Sequence, residues 1–154
     1  MSVRSSKRLW VSVLIGLMAA GLLSFGLAFA SPASASAPLS LMFEKETVAA
    51  GVWEGSVLGD VDGGLTTVLT SCNGPNPCSG PIWHVEFDWI VDAGAESFTA
   101  HLSGTLNNVT GAVVMNGTVV DGFLQGAQVH EEGQLVNAAT LRFEGTIRVM
   151  PATA

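Results

Sequence analysis

Apolar and polar residues alternate at every second position over several stretches of the chain. In residues 83–91 every odd position is apolar, whereas the even positions carry a histidine and two carboxylates. Residues 98–103 and 141–149 repeat the pattern. Successive side chains of a β-strand point to opposite faces, so this period predicts strands with one buried face and one solvated face. No stretch after residue 40 shows the spacing of an amphipathic helix.

Turn-forming residues divide the chain after residue 40 into short segments at hairpin spacing. We predict strands at residues 43–49, 51–58, 64–71, 81–91, 96–106, 110–120, 123–130 and 139–149. Short connections favour antiparallel neighbours, because parallel pairing needs long crossovers. An eight-stranded meander with one apolar face tends to close on itself, which removes its edges. The predicted fold is therefore all-β, a single antiparallel barrel, with a two-sheet β-sandwich as the alternative.

A short glycine motif recurs within the predicted strands. Glycine, then Ser or Thr, then Val, Leu or Ile occurs at Gly55, Gly104, Gly117 and Gly145. Glycine inside a strand marks a bend or a close backbone approach, and strands that coil around a small barrel need such points. The motif therefore favours the barrel over the sandwich.

The glycine-punctuated segment within residues 97–150 also resembles a known group of barrels. Its run SGTLNNVTGAVVMNGTVVDGFLQGAQVHEEG and its closing FEGTIRVM are similar in rhythm to the meander of the allene oxide cyclase and dirigent-like families. The resemblance implies a calycin-type barrel. No catalytic motif of either family occurs here, so the resemblance carries over a fold and no site residue.

The N-terminus has the layout of a secretory signal peptide. Basic residues precede an apolar run over residues 9–30, and a stretch of small residues follows it. We predict a signal helix within residues 1–35, then a short linker at 36–42, a barrel domain at 43–150 and a tail at 151–154. The alternative is an uncleaved anchor, because the apolar run is long enough to cross a bilayer. Either way the domain is expected outside the cytoplasm, secreted or in the cell envelope.

The chain beyond the predicted signal is strongly acidic. Only Lys45, Arg142 and Arg148 oppose its thirteen carboxylates, which gives a net charge of −10 with neutral histidines. Nucleic-acid binding needs clustered Lys and Arg side chains, so this composition excludes it. Contact with a membrane is expected only through an uncleaved N-terminal segment.

Cys72 and Cys78 are the two cysteines of the chain, and a proline-rich turn separates them. In an oxidising compartment such a close pair forms a disulfide, which we predict here. The alternative, half of a metal site, lacks a second cysteine pair.

The most suggestive polar cluster lies on one predicted strand. His84, Glu86 and Asp88 share a face, and His101 lies on the next strand. Imidazole with carboxylates could bind a divalent metal or act as an acid and base. The opposite face carries three aromatic residues and is expected to be the core side, so we interpret the cluster as a solvated surface with no metal or cofactor. A second polar cluster, at residues 130–133, is predicted to form a turn.

Aromatic residues of the domain either line a cavity for an apolar ligand or fill a small core. They are Trp53, Trp83, Phe87, Trp89, Phe98, Phe123 and Phe143. We expect a non-catalytic protein that binds a small apolar ligand or a protein partner. The alternatives are a cyclase- or isomerase-like enzyme that shapes a substrate in its cavity, and a structural surface protein that uses the barrel exterior.

Overall fold

The computed structural model describes residues 37–73 and 78–152, which form a closed antiparallel β-barrel. Its eight strands are β1 Leu39–Ala49, β2 Val52–Gly59, β3 Gly63–Asn73, β4 Ile82–Asp92, β5 Phe98–Asn107, β6 Ala112–Gly122, β7 Gln128–Asn137 and β8 Arg142–Met150. Each strand pairs with the next along the chain, and β8 closes the barrel against β1. The barrel prediction is thus confirmed over the sandwich. The predicted signal helix lies outside the described residues.

The described part of the chain contains no α-helix, and one 3-10 turn at Gly94–Glu96 connects β4 to β5. No helix within residues 37–73 and 78–152 is long and apolar enough to cross a membrane. The first strand starts at Leu39, four residues earlier than predicted. Apolar residues at alternate positions from Leu39 onward face the interior, so residues 39–42 belong to the barrel and not to a linker.

The seventh strand differs from its prediction. We expected it at residues 123–130, with a turn following at 130–133, but β7 spans Gln128–Asn137. The turn comes earlier, where Leu124 has a positive φ of 60° and the Ala127 N–H donates to its carbonyl at 2.9 Å. Glycine at position 133 suggested a turn, yet Gly133 lies opposite Gly145 within the sheet. The prediction of a turn at residues 130–133 is therefore wrong.

The two ends of the barrel differ. Because neighbouring strands are antiparallel, the β2–β3, β4–β5 and β6–β7 connections lie at one end, which we call the closed end. Buried apolar side chains fill the half of the interior next to it. They include Leu41, Val57, Leu65, Val91, Phe98, Val119 and Val149. Val61 and Ala127, which belong to connections at this end, are buried as well, so loops cover it. The remaining connections lie at the other, open end.

The glycine motif marks points where neighbouring strands run too close together for a side chain. A Cβ atom added at Gly55, Gly104, Gly117 or Gly145 would collide with a main-chain carbonyl oxygen of the adjacent strand. The colliding atoms belong to backbone and cannot rotate away. These four glycines therefore permit the tight coiling of the sheet that the sequence pattern suggested.

Cys72, near the end of β3, and Cys78, before β4, form a disulfide with their Cα atoms 5.5 Å apart. The pairing prediction is confirmed. The bond lies at the open end and closes the β3–β4 connection into a loop. Such bonds persist in oxidising compartments, which points to a location outside the cytoplasm.

Gly117→Ala should lower the free energy of unfolding by about 2 kcal/mol, because its new methyl group must push the backbone of β5 away. Gly64→Ala is the matched control, since a Cβ there meets nothing within 4 Å. Urea unfolding followed by tryptophan fluorescence measures both. Equal midpoints for the two variants would contradict the role given to Gly117.

Removal of the disulfide with Cys72→Ser and Cys78→Ser should lower the free energy of unfolding by about 2–3 kcal/mol, because the unfolded chain gains loop entropy. Dithiothreitol should destabilise the natural chain to a similar extent and leave the double variant unchanged. Alkylation of the native protein without reductant should label no thiol. Two labelled cysteines would show that the bond does not form.

Candidate functional site

An apolar cavity of about 110 Å³ occupies the open half of the barrel. Four aromatic residues line it: Trp53, Trp83, Phe87 and Phe143. Aliphatic and thioether side chains complete the wall, among them Leu69, Val85, Leu106, Val113, Met115 and Leu135. All eight strands contribute to the lining, and the closed-end loops contribute nothing. The cavity is therefore the part of the barrel interior that side chains of the open half do not fill.

The cavity has a buried floor and a partly exposed rim. Phe87 and Met115 on the floor are buried, whereas Trp83 is half-buried and Leu141 is exposed. The rim therefore opens toward solvent at the open end of the barrel. Cys78 also lines the cavity, so the disulfide anchors the β3–β4 connection beside the opening.

Hydrogen bonds fix the two tryptophans of the rim. Trp83 Nε1 donates to the Gly80 carbonyl at 2.9 Å, and Trp53 Nε1 donates to the Leu141 carbonyl at 3.2 Å. Trp53 also packs edge-to-face on Phe87, with the ring centroids 5.5 Å apart. With both indole N–H groups satisfied by backbone, the rings offer apolar surface to the cavity.

One charged side chain, that of Lys45, lines this apolar cavity. Leu41 and Phe43 point inward from β1, and the period of two continues to Lys45, which is only 6% exposed. Its Nζ lies 3.4 Å from Oε1 of Glu131, which points inward from β7 and is 0% exposed. The two side chains form a buried ion pair at the level of the cavity floor.

Aromatic rings surround the Lys45 ammonium. Its Nζ lies 4.1 Å from the ring centroid of Trp89, 5.1 Å from that of Phe43 and 5.4 Å from that of Phe87. A cation at this distance from a ring face is attracted to its negative electrostatic potential, more strongly where water is excluded. Phe43 and Trp89 pack edge-to-face at 5.0 Å, which holds the rings in place.

Burial shifts the pKa values of the pair in opposite directions. Loss of hydration lowers the pKa of the Lys45 ammonium and raises the pKa of the Glu131 carboxyl, and the attraction between the two groups offsets part of each shift. The Trp89 indole and His130 also lower the pKa of Glu131, to a smaller extent. Both shifts favour the neutral forms. Removing the two charges from water therefore costs free energy, which their mutual attraction offsets only in part.

Three buried polar atoms have no hydrogen-bond partner within the part of the chain that the structure describes. They are Oγ1 of Thr67, Nε1 of Trp89 and Oε2 of Glu131. The Trp89 indole is near enough to Glu131 to influence its pKa, yet the two do not meet in good hydrogen-bonding geometry. Such unpaired atoms are rare in native interiors, and here two of the three belong to the surroundings of Lys45.

The polar cluster predicted from the sequence lies on the outer wall of the barrel. His84 and Glu86 are exposed on β4, and Nδ1 of His101 on β5 lies 2.9 Å from Oδ1 of Asp88 in a surface pair. Among the described residues no group of three or more His, Cys, Asp or Glu side chains is placed to hold a metal ion. The outer face of β4 thus carries an ordinary cross-strand pair.

The aromatic residues singled out in the sequence divide into three groups. Trp53, Trp83, Phe87 and Phe143 line the cavity, as described above. Trp89 lies buried against Lys45. Phe98 belongs to the solid core of the closed half, and Phe123 packs against that core from the β6–β7 connection.

Lys45 and Glu131 are site residues that were not predicted from the sequence. The phase of the alternation could have found them, because Lys45 follows Leu41 and Phe43 at the inward positions of β1. Glu131 follows Val129 in the same way on β7. A charged residue at an inward position of a closed barrel must be buried, and a buried charge needs a partner.

Comparisons of the chain with protein-family models, with curated proteins and with solved structures gave no match. The resemblance to allene oxide cyclase and dirigent-like barrels therefore stays a prediction.

Lys45→Met should lower the free energy of unfolding by about 3 kcal/mol at neutral pH, because it leaves the Glu131 carboxylate buried without a counter-charge. Lys45→Met combined with Glu131→Leu should restore most of this loss. Arg142→Met is the control for charge removal: its pair with Glu44 is exposed, so the cost should stay below about 1 kcal/mol. Thermal or urea unfolding of the three variants measures these differences.

The Lys45→Met variant should also depend on pH in a defined direction. Burial raises the pKa of Glu131 in the folded protein above its unfolded value of about 4.3. The folded variant therefore binds more protons, and its stability should fall as the pH rises from that value through the raised folded pKa. Urea midpoints measured across this range that rise with pH would contradict the assignment.

Proposed function

We propose that the protein binds a small apolar molecule in the cavity at the open end of its barrel. The observation that carries the proposal is the lining: four aromatic residues and several aliphatic ones surround an unfilled space that opens at a partly exposed rim. Ligand sites are typically concave, mostly apolar and equipped with few polar groups, and Lys45 is the one charged group here.

The size of the cavity restricts the ligand. An engineered apolar cavity of about 150 Å³ holds benzene, so the smaller space of about 110 Å³, which is open at its rim, accommodates at most a single ring or a short alkyl chain. A longer molecule would extend past Trp53 and Trp83 at the rim, where apolar surface continues. The ligand class is therefore small and largely hydrocarbon.

We place this binding outside the cytoplasm, in a secreted or envelope-associated protein. The disulfide and the layout of the N-terminal sequence support that location. The charge of −10 beyond the predicted signal argues against anionic partners on the barrel exterior.

A cyclase- or isomerase-like activity is the second candidate, and one observation favours it. Lys45 and Glu131 place a proton donor and a proton acceptor beside the cavity, with pKa values shifted by burial. A bound ligand recovered chemically unchanged after long incubation supports binding, whereas an isomerised ligand supports the enzyme.

Fluorobenzene, observed by ¹⁹F NMR, tests the proposed function. We expect saturable broadening of its signal in the presence of the protein. Val113→Phe should weaken binding by about tenfold or more, because the added ring occupies the space of the ligand. Val114→Phe is the matched control, since the neighbouring side chain on β6 points outward and is 43% exposed.

Two results would contradict this function. The first is the absence of saturable fluorobenzene binding to a protein whose circular dichroism reports an intact β-fold. The second is that Val114→Phe weakens binding as much as Val113→Phe, which would place the probe on the outer surface.

A further inference from the structure

We propose that the natural ligand carries an uncharged hydrogen-bond acceptor, a carbonyl or hydroxyl oxygen, which binds the Lys45 ammonium at the cavity floor. This inference rests on the proposed function and names the ligand class of the same cavity. The apolar part of the ligand would lie along the aromatic wall toward the rim.

The Lys45 ammonium has N–H donors that the described residues do not use. An ammonium has three N–H groups, and within the described residues Nζ makes one hydrogen bond, a long one of 3.4 Å to Glu131. The rings of Phe43, Phe87 and Trp89 attract the charge but offer no lone pair. Because Lys45 also lines the cavity, a donor remains available to a molecule bound there.

A buried hydrogen-bond donor loses more free energy when it stays unpaired than an ordinary hydrogen bond contributes. A buried donor without a partner costs free energy, and a hydrogen bond to a charged donor is among the stronger ones. A ligand that brings an acceptor to Nζ removes that deficit. A pure hydrocarbon fills the same space but leaves the N–H group of Nζ unpaired. The cavity should therefore bind a ligand with an acceptor more tightly than a hydrocarbon of the same size.

Charge balance decides that the acceptor is uncharged. Glu131 already neutralises Lys45 at 3.4 Å, and the rest of the lining carries no charge. A carboxylate ligand would add a second negative charge beside one ammonium, in surroundings that disfavour unpaired ions. A cationic ligand would be repelled by Nζ itself. A ketone, ester or alcohol offers an acceptor oxygen and carries neither a negative nor a positive charge.

The test compares three rings of similar size: methylcyclohexane, cyclohexanone and cyclohexanecarboxylate. Each competes with fluorobenzene for the natural protein and for the variant with Lys45→Met and Glu131→Leu, which keeps the cavity free of net charge. We define the preference as the affinity for cyclohexanone divided by the affinity for methylcyclohexane. This preference should be about tenfold lower in the variant than in the natural protein. At neutral pH cyclohexanecarboxylate should bind the natural protein about tenfold more weakly than cyclohexanone.

Thr67→Val is the matched control. Thr67 is a buried polar residue whose hydroxyl has no partner in the described chain, but it does not line the cavity. Its substitution should leave the preference for cyclohexanone unchanged. A loss of preference in this variant would mean that any change in buried polarity produces the effect, which would overturn the role of Lys45.

Isotope labelling provides a measurement that needs no substitution. Lys45 and Lys7 are the only lysines of the chain, so ¹³C-lysine labelling gives two sets of side-chain signals. Saturating cyclohexanone should shift the Lys45 Cε signal, whereas methylcyclohexane should shift it much less.

The outcomes separate this inference from the proposed function. If all three rings compete but the preference is the same in both proteins, the inference is wrong and the apolar cavity stands. If cyclohexanecarboxylate binds most tightly, the acceptor is an anion and the inference is likewise overturned. If no ring competes and fluorobenzene does not bind, the proposed function fails together with it.

Discussion

Closure of the sheet is the constraint on which the rest of this structure depends. Once β8 pairs with β1, every second residue of every strand faces one enclosed interior, and the number of strands limits its width. Close approaches at Gly117 and Gly145 allow the strands to coil this tightly. The sequence then decides only what fills the interior. Large apolar side chains fill the closed half, whereas the open half is left with a space of about 110 Å³.

Burying the charged pair of Lys45 and Glu131 in the barrel interior costs free energy. Two charges leave water for an interior in which an apolar pair is expected to be nearly as stable. Three aromatic rings and one hydrogen bond offset part of that cost, but Oε2 of Glu131 and Nε1 of Trp89 stay unpaired in the described structure. A polar arrangement that contributes little to stability and lies at the floor of an accessible cavity supports the proposed ligand recognition.

The architecture was predictable because its signals are local. Alternation in β4 and β8 and the turn residues between strands located seven strands closely, and the glycine motif identified the points of close approach. The seventh strand was misplaced because Gly133 resembles a turn residue, and only its partner Gly145 across the sheet shows otherwise. The same error hid Glu131. The alternation in β1 places Lys45 inward, but its pairing with Glu131 joins residues 86 positions apart, which no local pattern predicts.

The packed half and the cavity-containing half of the interior separate the stabilising core from the proposed binding site along the barrel axis. Side chains leave about 110 Å³ between them in the open half, so this half makes fewer packing contacts than the closed half. The packed core of the closed half supports the open half, since the strands are continuous through both halves. The disulfide adds stability at the open end, where packing is thinnest. An apolar molecule in this space would contact the apolar side chains that line it, and this gain of packing contacts favours the proposed binding.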